Sequence, residues 1–403
     1  MTHKTFLLGT HRASTPEATL ARIAPLTAQL GITRVADLTG LDRVGIPVMA
    51  AYRPDARSVA VSLGKGITPA AARASALMES IELWHAEHPL LDRHWGSADE
   101  LGAQWRVADW CRLAMNGNGF DAATRTAWVE ATSMLDGEAL LLPFETVHTD
   151  GAVPEPAGSG WFLCTSNGLA SGNHEAEAQV HALCELVERD AVTLWRARDV
   201  GASTIITQRT VTHPTCCALI ERFEAAGLSV LLHDATTDIG LPVVLCTVFD
   251  ERADPALQMG MGCHPSRDVA MSRALTEAAQ SRLTLISGAR DDLFRERYEP
   301  PRDEADCVRQ FKAWADAARD SNRSIDVACL PDLATASLED DRDIVVARLR
   351  AQGLHPCWVD LRQPEIGVAV GRAVVPGLEP PSDLAAYQPS ARARAALASR
   401  CPA

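Results

Sequence analysis

Residues 166–198 read SNGLASGNHEAEAQVHALCELVERDAVTLWRAR. A turn rich in glycine (Gly168, Gly172) feeds a long helical pattern. Apolar Ala176, Val180, Leu183, Leu186, Val187, Ala191 and Leu194 recur at helical spacing. A second series, Asn173, Glu177, His181, Glu185 and Glu188, is polar. Residues three and four apart share a helix face, so this series predicts one line of oxygen-rich side chains over about four turns. Arg189 sits beside the last of them.

Two other segments repeat the arrangement. Residues 69–87 read PAAARASALMESIELWHAE and place Ser75, Glu79 and Glu82 at i, i+4, i+7. Residues 267–285 read RDVAMSRALTEAAQSRLTL and place Arg273, Glu277 and Gln280 at the same spacing. One polar stripe is ordinarily a solvated helix face. Three stripes, each short of lysine and bordered by alanine and leucine, fit that account less well. Carboxylates that converge without lysines need a cation, and hard oxygen donors suit Mg²⁺ holding a polyphosphate.

The 403 residues carry a formal charge of -14, with 47% hydrophobic and 22% charged residues, the balance of a globular chain with a substantial core. An acidic balance argues against nucleic acid or a membrane surface as partner, since either wants a basic face. Nowhere do eighteen apolar residues run together, and the start lacks the apolar core of a signal peptide. The eleven cysteines form no CxxC pair. Several, such as Cys184, Cys246 and Cys329, stand among apolar neighbours. They read as buried reduced thiols of a cytoplasmic protein, and no cluster has zinc-ligand spacing.

Along the chain, a helix is predicted over 16–30, closed by Gly31, and strands over 33–35, 43–53 and 57–63. Gly64-Lys65-Gly66 follows. It fails the GxxxxGK[ST] phosphate-loop pattern, but Lys65 stands before a helix start, where a phosphate contact is favourable. His85 and His88 read as helix-end histidines rather than metal ligands. A helix is expected over 98–113, a hairpin over 126–148 turning at Asp136-Gly137, and a flexible Gly/Pro-rich lid over 151–160. Strands follow at 204–211, 228–232, 242–249 and 258–263, with a helix at 218–226. Cys263 and His264 are adjacent on a strand and point to opposite faces, which argues against a nucleophile pair. Helices at 305–320 and 340–352 alternate with strands at 356–361 and 367–375, and the Ala/Arg-rich tail from 384 reads as helical. The expected fold class is α+β (mixed α/β): a single large domain over 57–385, an N-terminal segment 1–56 packed on it, and a tail 386–403.

These motifs carry a resemblance. Ser75-x-x-x-Glu79-x-x-Glu82, the run SNGLASGNxxxExxxxxxxExxER, and Arg273-x-x-x-Glu277-x-x-Gln280 are similar in order and spacing to the three ATP-binding motifs of the YcaO family. The closing VAVGRAVVPGLEPPS resembles the last strand of YcaO domains. The N-terminal GTHRASTPEATLARIAPLTAQLGITRVADLTGLDRVGIPV resembles the YcaO subgroup that works with a TfuA partner. ATP and Mg²⁺ are then the implied cofactors. Glu79, Glu82, Glu177, Glu188 and Glu277 are the metal-ligand candidates. Glu185 is placed at the nucleotide sugar or base, Ser75 on the adenine or ribose side, and Asn173 on a phosphate or metal. Gln280 and Lys65 belong to the same nucleotide site. Arg189 and Arg273, with Glu188, form the catalytic group that meets the charge of phosphoryl transfer. Arg12 and Thr19 have a suitable spacing for the family's N-terminal basic and hydroxyl contacts.

The resemblance also implies a reaction. YcaO enzymes activate a peptide backbone amide: a nucleophile adds to the amide carbon, the oxyanion takes the γ-phosphate of ATP, and phosphate leaves. A neighbouring Cys, Ser or Thr side chain gives an azoline, and an external sulfide gives a thioamide. Azoline-forming members often end in a Pro-rich tail, whereas this sequence ends SRCPA with one late proline. Together with the TfuA-type start, this favours the thioamide. The alternatives are a cyclodehydratase and an ATP-binding accessory to another modifying enzyme. Expected partners are a peptide or protein substrate, a TfuA-like protein that assists its recognition, and a second copy in a homodimer.

Overall fold

The computed structural model describes residues 2–198, 204–252, 257–293, 295, 298, 304–317, 323–384 and 387–398. Three sheets organise them. Helix α1 (Pro16–Ile23) precedes an antiparallel meander of β1 (Arg34–Asp37), β2 (Val48–Tyr52) and β3 (Val61–Lys65), from which α2 (Pro69–Glu87) emerges. Next come β4 (His94–Gly96), the short α3 (Ala98–Gly102), the hairpin β5 (Thr126–Ser133) and β6 (Ala139–Pro143), then β7 (Leu169–Gly172) and α4 (Glu175–Ala197). A third sheet begins with β8 (Thr204–Ile206), continues after α5 (Pro214–Ala225) with β9 (Ser229–Asp234), β10 (Val243–Phe249) and β11 (Leu257–Cys263), and delivers α6 (Arg267–Ser287). Beyond α7 (Glu304–Ala317), β12 (Ser324–Ile325) completes that sheet in the order β11-β10-β9-β8-β12. Helix α8 (Leu338–Ala351) leads to β13 (Cys357–Asp360) and β14 (Ala369–Val374), which return to the second sheet, and α9 (Ala391–Ala398) follows. The second sheet then runs β4-β5-β13-β14-β7, with β6 on β5. Two of its pairings join strands more than 200 residues apart in sequence, Cys357↔Ser133 between β13 and β5 and Arg372↔Leu169 between β14 and β7. The fold is mixed α/β.

Each striped helix leaves directly from a strand, and each of those strands belongs to a different sheet: β3 to α2, β7 to α4, β11 to α6. Glycine lets strand and helix touch. A Cβ on Gly64 would stand 2.0 Å from the Ala76 nitrogen, and one on Gly260 2.2 Å from both the Ala274 oxygen and the Ala278 nitrogen. The nearest helix atoms at these places are all backbone, so backbone lies against backbone. Gly172 meets the Ala178 nitrogen of α4 in the same way, at 2.7 Å. Helix starts are fixed locally. Thr68 Oγ1 accepts the Ala71 N–H at 3.1 Å ahead of Pro69, and His174 Nδ1 accepts the Ala176 N–H at 3.2 Å. Gly288, at φ 56°, closes α6 in the left-handed conformation.

Several expectations need correction. The first helix stops at Ile23 and tightens into a 3₁₀ turn, because Pro25 has no N–H to continue the ladder. The strand expected from residue 43 starts only at Val48, after Pro47. The helix expected over 98–113 shrinks to Ala98–Gly102, held by the Ser97/Glu100 capping box, and a 3₁₀ turn at Trp110–Arg112. The Gly-rich turn before α4 is in fact strand β7, and α4 starts at Glu175, so Asn173 precedes the helix rather than riding on it. Beyond Ile206 the strand expected to 211 becomes a 3₁₀ turn. Cys329 is exposed, not buried, whereas Cys184 and Cys246 are buried; nine cysteines among the described residues are free thiols. The closing SRCPA lies outside the described residues. Among those described, no helix is long and apolar enough to cross a membrane.

Candidate active site

The three stripes face a single cavity of about 1340 Å³. Ser75, Glu79 and Glu82 reach it from α2, Glu177, Glu185, Glu188 and Arg189 from α4, and Arg273, Glu277 and Gln280 from α6. Asn173 before α4, Lys65 at the end of β3 and Arg12 in the N-terminal segment complete this wall.

Many of these side chains are held by an element other than their own. Glu82 Oε1 accepts the Ser171 N–H at 2.8 Å and the Ser171 hydroxyl at 2.6 Å, which ties α2 to β7. Glu188 Oε2 accepts the Cys263 N–H at 2.9 Å, tying α4 to β11. Lys65 Nζ lies 2.5 Å from Glu277 Oε2, and Gln280 Nε2 donates to the Leu63 carbonyl at 2.9 Å; both join β3 to α6. Arg273 Nη2 lies 3.2 Å from His181 Nε2. Glu177 is the most engaged carboxylate. Its Oε1 accepts both the backbone N–H and the side-chain amide of Asn173, at 3.2 and 3.1 Å, and its Oε2 accepts the Ala13 N–H at 2.7 Å. Asn173 Oδ1 in turn accepts from Thr19 Oγ1 at 2.8 Å and from Arg22 Nη2 at 3.0 Å. Thr19 thus shares its hydroxyl between Asn173 and the Thr15 carbonyl, 3.0 Å away.

The electrostatics are those of crowded carboxylates deep in a cleft. Burial, with Glu185 and Glu277 adding, lifts Glu79 to about 7 against the pull of Arg290 and Lys65. Burial also lifts Glu82 to about 8; the Ser171 hydrogen bonds oppose it and the Glu79 charge reinforces it. Glu188 is pushed up by burial and Glu277, with Arg189 opposing. Burial acts upward on Glu277 too, but Lys65, Arg189 and Arg273 outweigh it and hold this carboxylate below its ordinary value. Arg189 loses by burial and gains more from Glu188, Glu277 and Glu185, so it stays charged. His181 is neutral, because burial and the cations Arg273, Arg12 and Lys65 all disfavour its proton. Its Nε2 therefore accepts from Arg273 and aims the guanidinium.

This donor set fits a divalent cation and a polyphosphate. Among the described residues the Glu79 carboxylate takes no hydrogen bond or ion pair. Arg273 Nε and Gln280 Oε1 are buried with no partner. Oxygen ligands short of a cation suit Mg²⁺, and a guanidinium with a free donor at Nε beside them suits phosphate. A pH dependence follows. Glu79 and Glu82 hold protons in the folded chain up to about 7 and 8 that the unfolded chain releases near 4.5. Their contribution to stability without metal is fully present below about 4.5 and lost as the pH rises through 7 and 8. Mg²⁺ with a nucleotide should expel those protons. Calorimetry near neutral pH in buffers of different ionisation enthalpy should show proton release on binding, and buffer-independent heats would remove Glu79 and Glu82 from the metal.

Some lining residues lacked a sequence signal. Ser171 is visible only once β7 is recognised as a strand. Arg290, paired with Asp292 at the cavity wall, is placed by the turn after Gly288, which no motif marks. Part of the lining comes from the segment expected to be a flexible lid and its flanks. Its end is pinned, since Glu145 accepts the backbone N–H groups of Gly160, Trp161 and Phe162 at 2.6 to 2.9 Å. His148 and Cys164 also line the cavity. Burial raises the Cys164 thiol to about 11, so it is protonated. Cys263 is buried, with its thiol pushed far up, which agrees with a structural reading.

A deep cavity walled by carboxylates, with arginines between them, defines a metal-nucleotide type of site, and the comparisons agree. Residues 63–379 match the family described as YcaO cyclodehydratase, ATP- and Mg²⁺-binding. The chain belongs to the YcaO family, and ATP and Mg²⁺ are its cofactors. It is 36% identical over 377 residues to an uncharacterized protein of Methanothermobacter thermautotrophicus, covering 91% of this chain and 95% of the relative. It is 34% identical over 384 residues to an uncharacterized protein in the tfuA 3' region of Rhizobium leguminosarum bv. trifolii, covering 91% and 88%. This agrees with the TfuA-associated subgroup. Among solved structures, YcaO from Methanopyrus kandleri bound with AMPPCP and Mg²⁺ superposes with a TM-score of 0.74 at 24% identity, covering 94% of this chain and 95% of that one. A heterocyclase in complex with substrate and cofactor gives 0.78 at 21% identity; this chain spans about half (53%) of its length. Both likenesses are of fold.

Proposed function

We propose that the protein uses ATP to activate a peptide backbone amide and replaces the amide oxygen by sulfur. The observation that carries this reading is the convergence of carboxylates from three helices, each on its own sheet, on one cavity that also presents Arg189 and Arg273. ATP supplies the phosphoryl group and Mg²⁺ the charge that lets carboxylates and phosphates share the site. Glu79, Glu82, Glu188 and Glu277 would hold the metal. Glu177 would hold Asn173 and the N-terminal segment at its edge. Arg189 and Arg273 offer forked donors to phosphate oxygens, with Arg273 aimed by neutral His181. Lys65, Arg12, Ser75, Glu185 and Gln280 bind the rest of the nucleotide.

On this reading hydrosulfide adds to the amide carbon, and the resulting oxyanion accepts the phosphoryl group. Departure of phosphate breaks the carbon–oxygen bond while the sulfur loses its proton, leaving the thioamide. The tfuA neighbourhood of a relative supports sulfur as the nucleophile and a TfuA-like protein as partner. The family description favours a second reading, in which a neighbouring Cys, Ser or Thr closes an azoline ring. We take 57–385 as the catalytic body, 1–56 as packed on it and 386–403 as a tail, and the free thiols support a cytoplasmic location. The test is mass spectrometry of candidate peptides incubated with the protein, ATP, Mg²⁺, sulfide and a TfuA-like protein. A gain equal to oxygen exchanged for sulfur is expected. Loss of one water would replace this reading by the azoline, and unmodified peptides without ATP hydrolysis would overturn both.

A further inference from the structure

The ligand atoms of His11, His264 and Asp341 lie within 4.8 Å of one another, outside the main cavity. The two imidazoles meet edge-on with centroids 4.9 Å apart. Such a group offers the ligand atoms for a metal ion, yet here a lysine occupies two of its three members, His11 and Asp341. Lys4 Nζ donates to Asp341 Oδ2 at 2.5 Å and to the Thr335 carbonyl at 2.6 Å, and lies 3.2 Å from His11 Nδ1. Three acceptors exhaust the three donors of an ammonium. The Lys4 side chain is 2% exposed and that of Asp341 0%, so this is a buried ion pair, not a surface one. Burial and the Lys4 charge keep His11 neutral, at about 4. The backbone at and before Lys4 is stitched to the entry and first turn of α8: the Thr2 N–H donates to Glu339 Oε2 at 2.6 Å and the Lys4 N–H to the Ala336 carbonyl at 3.3 Å.

From Lys4 the chain makes a tight excursion and returns as Arg12. Thr5 N–H donates to the Arg12 carbonyl at 3.0 Å, and Arg12 N–H to the Phe6 carbonyl at 2.9 Å. Thr5 Oγ1 donates to the Ala13 carbonyl at 2.7 Å. The tip is Gly9, at φ 69°, lying so close to Ile67 that a Cβ there would overlap its side chain. Arg12 and Ala13 then meet Glu177 at the nucleotide wall, with Arg12 Nη1 3.6 Å from Glu177 Oε1.

We propose that Lys4 is a positioning residue of the nucleotide site: its ammonium, seated among Asp341, His11 and the Thr335 carbonyl, pins the strap that delivers Arg12 to Glu177. The lysine does structurally what a metal would do, and it holds a loop that carries a cation into a site for polyanions. Lys4 touches no part of the main cavity. The inference rests on the nucleotide reading of that cavity.

The test compares Mg²⁺·AMPPNP binding by titration calorimetry in wild type, Lys4→Met, the charge-balanced pair Lys4→Met/Asp341→Asn, Arg12→Ala, and Arg12→Ala added to the pair. Removing both charges avoids leaving Asp341 buried and unpaired, a state that strongly destabilises the single variant. The pair and Arg12→Ala should each weaken binding about tenfold, the worth of a charge-assisted hydrogen bond. Their combination should be no weaker than Arg12→Ala alone, since both remove the same contact. Hydrogen exchange of the Thr5 and Arg12 amides should speed up in the pair while that of α4 does not. Wild-type affinity in the pair, or additive losses in the combination, would overturn the proposal while leaving the nucleotide reading standing. A wild-type protein that does not bind Mg²⁺·AMPPNP would overturn both.

Discussion

Glu188→Gln should lower ATP turnover by about a thousandfold, the scale of removing one preorganised electrostatic partner from an active site, with the melting temperature nearly unchanged. The substitution keeps shape and one acceptor. Glu188 Oε2 accepts the Cys263 N–H, and the glutamine carbonyl takes over that bond. What disappears is a charge that burial and Glu277 already make costly, and that only a cation makes worthwhile. The side chain is 2% exposed, so solvent does not screen the loss. Steady-state hydrolysis and a thermal melt on one preparation check both halves. Wild-type turnover would remove Glu188 from the metal, and a collapsed melt would make it a folding residue.

Gly260→Val should cost more than about 3 kcal/mol, beyond the usual penalty of overpacking, and a loss of that size is a large part of a typical stability of about 5–15 kcal/mol. The added carbons would meet backbone, the Ala274 oxygen and Ala278 nitrogen at 2.2 Å, not a side chain that can swing away. Relief requires α6 to lift off β11, which carries Arg273 and Glu277 out of the cavity. Chemical denaturation against Gly40→Ala, where nothing stands within 4 Å, gives the comparison. If Gly260→Val unfolds as the control does, α6 and β11 do not lie in close backbone contact at Gly260.

Much of the site was legible because helical periodicity is a local property. The spacing of Ser75, Glu79 and Glu82 fixes their common face whatever surrounds α2, and the same holds for Arg273, Glu277 and Gln280. The family's motif order then links the three helices, which periodicity alone cannot do. The pairings that tie the helices together were not legible. That Glu82 would meet Ser171, or Glu188 the Cys263 N–H, depends on sheets whose strands come from distant parts of the chain. Boundaries failed where local chemistry overrode pattern, as at Pro25 and Pro47. The apolar, Trp-bearing stretch after Gly102 reads as helix by composition, but its residues pack as loop around Phe120, Trp128 and Phe162. Lys4 gave no signal at all, since a lone lysine near a chain start is ordinarily solvated.

Because the three helices belong to three sheets, the cavity is a seam where separately hydrogen-bonded layers abut. A nucleotide seated there would act as a rivet. It would grip all three layers at once, and at a hundredfold excess over its dissociation constant it would add about 2.7 kcal/mol to the folded state. That gain would fall on the joints between layers rather than within them. Emptying the seam should therefore loosen the layers against one another before any one of them frays, and a small molecule that fills it would show itself by its effect on melting alone.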